Sequence, residues 1–214
     1  MSEFRFEEQK NTSLRHKITD DIRKAIFQGK LKPGDRLREV EMAKQMGVSR
    51  GPIREAIRML EQEGVINSQP YKDTMVADIS VEEVEEVLLP IRLTLEIFAI
   101  RKALPNLTEQ HLNNLTAIIG NMKQAADEKD LYKLVDCDLA FHEYWVTLSN
   151  VPNLLGIWTS IFNRIRLYFI VQGQTYSDLN PLWESHELLL QTIQKGNLVE
   201  INSLLTEHIL DVDL

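Results

Sequence analysis

From Ser80 onward the apolar residues of this chain recur at steps of three and four, with no stretch of strand-like alternation. Segments patterned in that way bury their apolar stripes by packing helix on helix, which commits the larger part of the chain to an all-α fold. Ser80 ahead of Val81-Glu82-Glu83 reads as an N-cap followed by acidic residues suited to the positive end of a helix dipole. Pro90 should kink this helix rather than end it, because the apolar period resumes at Ile91, Leu95, Phe98 and Ala99. Further helices are expected over residues 108–128, 130–149, 152–171, 181–195 and 198–211. Asn180-Pro181 reads as a cap with a first-turn proline, Gly196 as a stop, and Asn197 with Glu200 as a capping box. Six or seven helices with short connections imply an antiparallel bundle.

Before Ser80 the pattern differs. Leu14, Ile18, Ile22, Ala25 and Ile26 mark an amphipathic helix over residues 14–27, and Pro33-Gly34 a turn. Two shorter helices follow, over 39–46 and 50–63, separated by Gly47-Val48-Ser49. Val65-Ile66 and Met75-Val76 flank a polar stretch containing Pro70 and suggest a small β-hairpin. The expected fold is therefore mostly α: an N-terminal winged helix-turn-helix with its hairpin over residues 1–78, and a C-terminal all-α antiparallel bundle over 79–214.

The two short helices carry helix-turn-helix logic. Ala43 is small where helices must cross closely, Gly47 permits a left-handed turn, Val48 plugs the pair, and Ser49 should cap the second helix. Ile53, Ile57 and Leu60 form its inward stripe; Arg50, Arg54 and Arg58, spaced by four, share the opposite face. Arginine near the start of such a helix suits a major groove, where it can donate two hydrogen bonds to a guanine edge. The net charge of −8 does not oppose this, because its distribution is uneven. Residues 1–80 hold 15 Lys and Arg against 13 Asp and Glu, and the remainder 9 against 19. An Arg-containing head on an acidic body can bind DNA through a local patch.

No apolar run suggests a membrane span, and the opening MSEFRFEEQK lacks the apolar core of a secretory signal. Cys137 is the sole cysteine, which excludes an internal disulfide, fits a reducing cytoplasm and reads as a small buried residue.

The head resembles the GntR family of bacterial regulators. The matching words are Leu31-Lys32-Pro33-Gly34-Asp35-Arg36-Leu37-Arg38-Glu39, Gly47-Val48-Ser49-Arg50 and Pro52-Ile53-Arg54-Glu55-Ala56-Ile57, then Leu60 and Gly64. The resemblance implies double-stranded operator DNA as partner, contacted by Ser49, Arg50 and Arg54, with Arg36 or Arg38 on phosphates. Many relatives have a small polar residue where Gly51 stands, so one contact is lost there. Lys72 precedes Asp73 where relatives have a basic residue before glycine, which weakens the wing's minor-groove reach.

In the body, Asp138 and His142 are one turn apart on one helix face, with His186 and His208 on the last two helices. One carboxylate and three imidazoles can hold a borderline divalent cation. The same pair also occurs as a surface hydrogen bond, and single histidines are commonly structural; His16 and His111 read as surface residues. The body also resembles the FCD ligand-binding domain of the FadR subfamily, whose metal-binding members match at Asp138-Leu139-Ala140-Phe141-His142, His186 and His208. That resemblance implies a bound metal, zinc first with nickel or manganese as alternatives, and a small carboxylate or sugar-acid effector. Arg92, Arg164 and Arg166 would hold the effector's anion; Trp145, Trp158 and Trp183 read as packing. A homodimer follows from paired half-sites. Two rival functions use the same residues: a metal-dependent hydrolase, and a DNA-binding protein with a purely structural metal.

Overall fold

The computed structural model describes residues 13–68 and 73–210. The chain forms two compact units, Met1–Asp78 and Ile79–Leu214. In the first, α1 (Ser13–Phe27), α2 (Glu39–Met46) and α3 (Arg50–Gln62) precede β1 (Ile66–Asn67) and β2 (Met75–Val76). The strands pair antiparallel, Ile66 opposite Val76 and Asn67 opposite Met75, and Arg36 bridges onto Met75. Ile18, Ile22 and Ile26 of α1 and Ile53, Ile57 and Leu60 of α3 are buried, the helical stripes read from the sequence. Arg23 grips Glu63 with two hydrogen bonds of 2.8 and 2.5 Å, tying α1 to the end of α3.

The α2–α3 turn depends on Gly47, at φ 64°. The Val48 N–H reaches back to the Ala43 carbonyl at 3.0 Å, closing the helix end. Ser49 has the extended backbone of a cap, yet its side chain makes no capping hydrogen bond. One of its two usual donors is missing, since the residue three places on is Pro52, which has no N–H.

The second unit is helical throughout. Ser80 accepts the Glu83 N–H at 3.2 Å and opens a helix built of α4 (Val81–Glu83), a π-helical stretch (Val84–Leu88) and α5 (Leu89–Ala103). The expected proline kink takes the form of this widened turn: Pro90 cannot donate to a preceding carbonyl, and the ladder is relaxed on its N-terminal side. After a short 3₁₀ turn come α6 (Glu109–Asp127), α7 (Leu131–Leu148), α8 (Leu154–Gly173), α9 (Asn180–Lys195) and α10 (Leu198–Leu210). Helix α7 packs against α5, α6 and α8, while α9 joins α6 to α10, which returns to α5.

Several local readings need correction. Leu179, not Asn180, holds the cap position of α9; Asn180 is helical and accepts the Trp183 indole N–H at 3.0 Å. Asn197 accepts the Val199 N–H at 3.1 Å, but Glu200 receives the Asn197 side-chain amide instead of completing a capping box. His111, a surface residue as expected, also closes the capping box of α6, its Nδ1 accepting the Thr108 N–H. Cys137 is only half-buried. Helix α8 is long and apolar enough to cross a membrane by composition; it carries Arg164 and Arg166 and buries Trp158, Ile165 and Leu167 in the bundle.

Candidate metal centre and nucleic-acid interface

Asp138 and His142 project from α7, His186 from α9 and His208 from α10, and one ligand atom from each lies within 4.8 Å of all the others. His142 Nε2 stands 3.1 Å from His186 Nε2 and 3.2 Å from His208 Nε2; Asp138 Oδ1 is 3.1 Å from His186 Nε2. Atoms bound at 2.0–2.2 Å to one cation stand about 2.8–3.1 Å apart at right angles and about 3.3–3.6 Å apart at tetrahedral angles. The spacing fits.

The tautomers strengthen that fit. His142 Nδ1 faces the Glu96 carboxylate at 2.5 Å, and His186 Nδ1 faces the Leu182 carbonyl at 2.6 Å. Both partners only accept, so both Nδ1 atoms carry the proton, and in the neutral rings both Nε2 atoms present lone pairs to each other. Two lone pairs at 3.1 Å repel unless a proton or a metal lies between them. A proton on His142 or His208 is disfavoured: burial, then Arg92, holds His142 below the usual imidazole range, and burial holds His208 well below it. Burial would raise the Asp138 carboxyl; a proton on His186 Nε2, with Arg92 behind it, would outweigh burial and hold the carboxyl low, and a cation in place of that proton acts in the same direction. An ionised carboxylate and neutral imidazoles are the ligand forms a divalent cation needs. Glu96, fully buried on α5, is the residue sequence reasoning missed; it orients His142 as outer-shell carboxylates orient metal-bound histidines.

Arg92 is also buried. Its Nε donates to Glu96 Oε1 at 2.8 Å, its guanidinium carbon sits 5.8 Å from the Trp158 ring and 5.5 Å from the Phe169 ring, and its Nη2 lies 3.9 Å from Asp138 Oδ2. Arg92 Nη2 and Asp138 Oδ2 have no hydrogen-bond partner. Both residues line a cavity of about 320 Å³ with His186 and His208. The other two expected anion ligands lie elsewhere: Arg164 pairs with Glu83 and Arg166 with Asp136, and neither lines this cavity. Those carboxylates engage their terminal nitrogens instead. Trp145 and Trp158 are core residues, and Trp183 lies under Lys123, 4.6 Å from the ammonium.

On the first unit, Arg50 and Arg54 are about half exposed at 53% each and converge on one acceptor, Glu39 Oε2, at 2.8 and 2.9 Å. These bonds, Arg50 first, hold the Glu39 carboxyl below its ordinary range despite some burial. Glu39 was not singled out from sequence, because its partners lie 11 and 15 residues away. Ser49 and Gly51 are exposed beside them, and a Cβ on Gly51 would meet open space. Arg36 pairs with Asp73 at 3.1 Å, Arg38 with Glu41 at 3.0 Å and Arg58 with Glu55 at 3.0 Å, all exposed. Lys72 lies outside the described residues.

Two family models match the chain: "Bacterial regulatory proteins, gntR family" over residues 14–76 and "FCD domain" over residues 87–211. The chain is 27% identical over 187 residues to the HTH-type transcriptional regulator McbR of Escherichia coli, covering 86% of this chain and 84% of that protein. It is 25% identical over 183 residues to the gluconate operon transcriptional repressor of Bacillus licheniformis, 83% of this chain and 74% of the relative. The solved structure of E. coli McbR/YncC superposes with a TM-score of 0.78 at 25% identity, over 94% of this chain and 95% of that one. A GntR regulator from Rhodococcus sp. RHA1, 22% identical over 94% of this chain and 95% of that one, shares the fold with a TM-score of 0.82. These relatives and neighbours are transcriptional regulators rather than enzymes, and the hydrolase alternative falls with that finding. With one model spanning the arginine-bearing unit and the other the helical unit, the chain belongs to the GntR family, as a DNA-binding transcriptional regulator with an FCD domain.

Proposed function

We propose that this protein is a repressor whose affinity for operator DNA is set by a small carboxylic acid bound at a divalent metal site in the helical unit. The observation that carries the reading is the convergence of Asp138, His142, His186 and His208 beside a cavity that also receives the unpartnered Nη2 of Arg92. Those four residues would hold the metal, zinc first and nickel or manganese next by ligand chemistry, and it would supply positive charge and an open position for a carboxylate oxygen. Arg92 would add a charge-assisted hydrogen bond to the same carboxylate. Glu96, Asp138, Glu207 and Arg92 together carry two negative charges; a divalent cation cancels them, so acid binding depends on metal.

Arg92 and Glu96 lie on the helix that begins at Ser80, directly after the boundary at Asp78. An acid drawing on Arg92 loads that helix, and its π-helical stretch can absorb the change. On the first unit, Arg50 and Arg54 would read guanine edges, Ser49 and Arg36 or Arg38 would meet phosphates, and Lys72 would serve the wing. A homodimer would supply two such surfaces, and the exposed Val87 and Ile91 are apolar residues it can cover.

Elemental analysis of purified protein tests the metal, with about one divalent ion per chain expected. A duplex selected from a random library then tests the regulation. Acid should shift its affinity about tenfold or more, the scale of a typical coupling free energy. Absence of both metal and acid response would remove the sensory half of the proposal.

A further inference from the structure

The cavity has a charged pole, where candidate metal ligands meet Arg92. Arg92, Asp138, His186 and His208 line that pole, and most of the remaining wall is apolar, including Leu131, Leu134, Val135, Phe169, Leu182 and Leu204. Three other polar residues line it, Tyr176, Ser185 and Glu207, too few to pair every hydroxyl of a polyol acid. The Ser185 hydroxyl already donates to the Leu182 carbonyl at 2.9 Å and is left only as an acceptor, and Glu207 would repel a second carboxylate. The volume of about 320 Å³ equals roughly ten water-sized groups at ~30 Å³ each, far more than a carboxylate alone fills. A sugar acid of that size would press its hydroxyls against leucine, and each hydroxyl left unpaired lowers affinity roughly tenfold.

We infer that the acid sensed here is an amphipathic monocarboxylate, with one carboxylate at the Arg92 pole and an unsubstituted chain or ring of about five to eight carbons along the leucine wall. This rests on the acid-sensing reading above and narrows it against the sugar acids.

Calorimetry on the zinc-loaded full chain with acetate, hexanoate, gluconate and hexanol tests the inference. Hexanoate should bind at least tenfold tighter than acetate or gluconate, and hexanol at least tenfold more weakly than hexanoate. Gluconate binding as tightly as hexanoate, or hexanol matching it, overturns the inference while acid sensing survives in the first case. Binding of none of the three acids overturns both readings. Leu204→Asn should reduce hexanoate affinity to the acetate level with zinc content and acetate binding unchanged. Leu131→Asn carries the same expectation should the first variant fold poorly, and full hexanoate affinity in a folded variant of either kind contradicts the proposed wall.

Discussion

At the scale of single residues, the two functional clusters are each organised by a buried or half-buried glutamate acting on cations or imidazoles. Glu96 accepts from Arg92 and His142, and Glu39 from Arg50 and Arg54. Glu96→Gln keeps the shape but removes the charge behind His142. Metal affinity should fall about 10–100-fold, the usual cost of losing such a partner, read by competition with a chromophoric chelator; an unchanged affinity would show that Glu96 serves packing alone. The arginines separate by role. Arg54→Ala should cost about 1–3 kcal/mol against the preferred duplex and relax its base preference, whereas Arg38→Ala should weaken all duplexes alike and reduce the salt slope by about one. Equal losses on preferred and scrambled duplexes for Arg54→Ala would contradict base reading. The Asp138–His142 pair was legible because an i,i+4 spacing is local information. Glu96, 46 residues from His142, and Glu83, 81 residues from Arg164, were not, since only packing brings such partners together.

At the scale of elements, periodicity and turn chemistry carried most of the reading. The inward stripes of α1 and α3, the hairpin and the Ser80 cap were all visible from spacing, because each depends on residues within a few turns. The errors were of the same short range but turned on competing donors: Pro52 removes one N–H that Ser49 would cap, and Glu200 takes the Asn197 amide. Gly47 illustrates a feature that single substitutions can test. Its φ of 64° is left-handed and a Cβ there would meet nothing within 4 Å, so the strain of Gly47→Ala is confined to the backbone. The first unit should lose about 1–2 kcal/mol of stability, measured by denaturant unfolding. A change near zero would show that the turn relaxes freely.

At the scale of the whole molecule, the buried histidines couple metal, acid and stability. His142 and His208 both resist protonation in the folded chain, chiefly through burial, while the unfolded chain takes up those protons below about pH 6.5. Unfolding therefore binds protons in acid, and the metal-stripped protein should lose stability as pH falls below about 6.5, seen as a lower melting temperature at pH 5 than at pH 7. A higher melting temperature at pH 5 would contradict the folded-state burial of these rings. The mostly helical fold and the family were legible in the chain itself, through its motif words and the Asp138, His142, His186 and His208 set. The cavity and its charged pole were not, because they are assembled from α5, α7, α8, α9 and α10 at once.

The central claim is that acid and metal act on DNA binding through one site. Fluorescence anisotropy of a selected duplex, titrated with hexanoate on zinc-loaded and on metal-stripped protein, addresses it most directly. The account predicts an affinity shift of about tenfold or more for the loaded protein and none for the stripped one. Superimposable curves for the two preparations would contradict it.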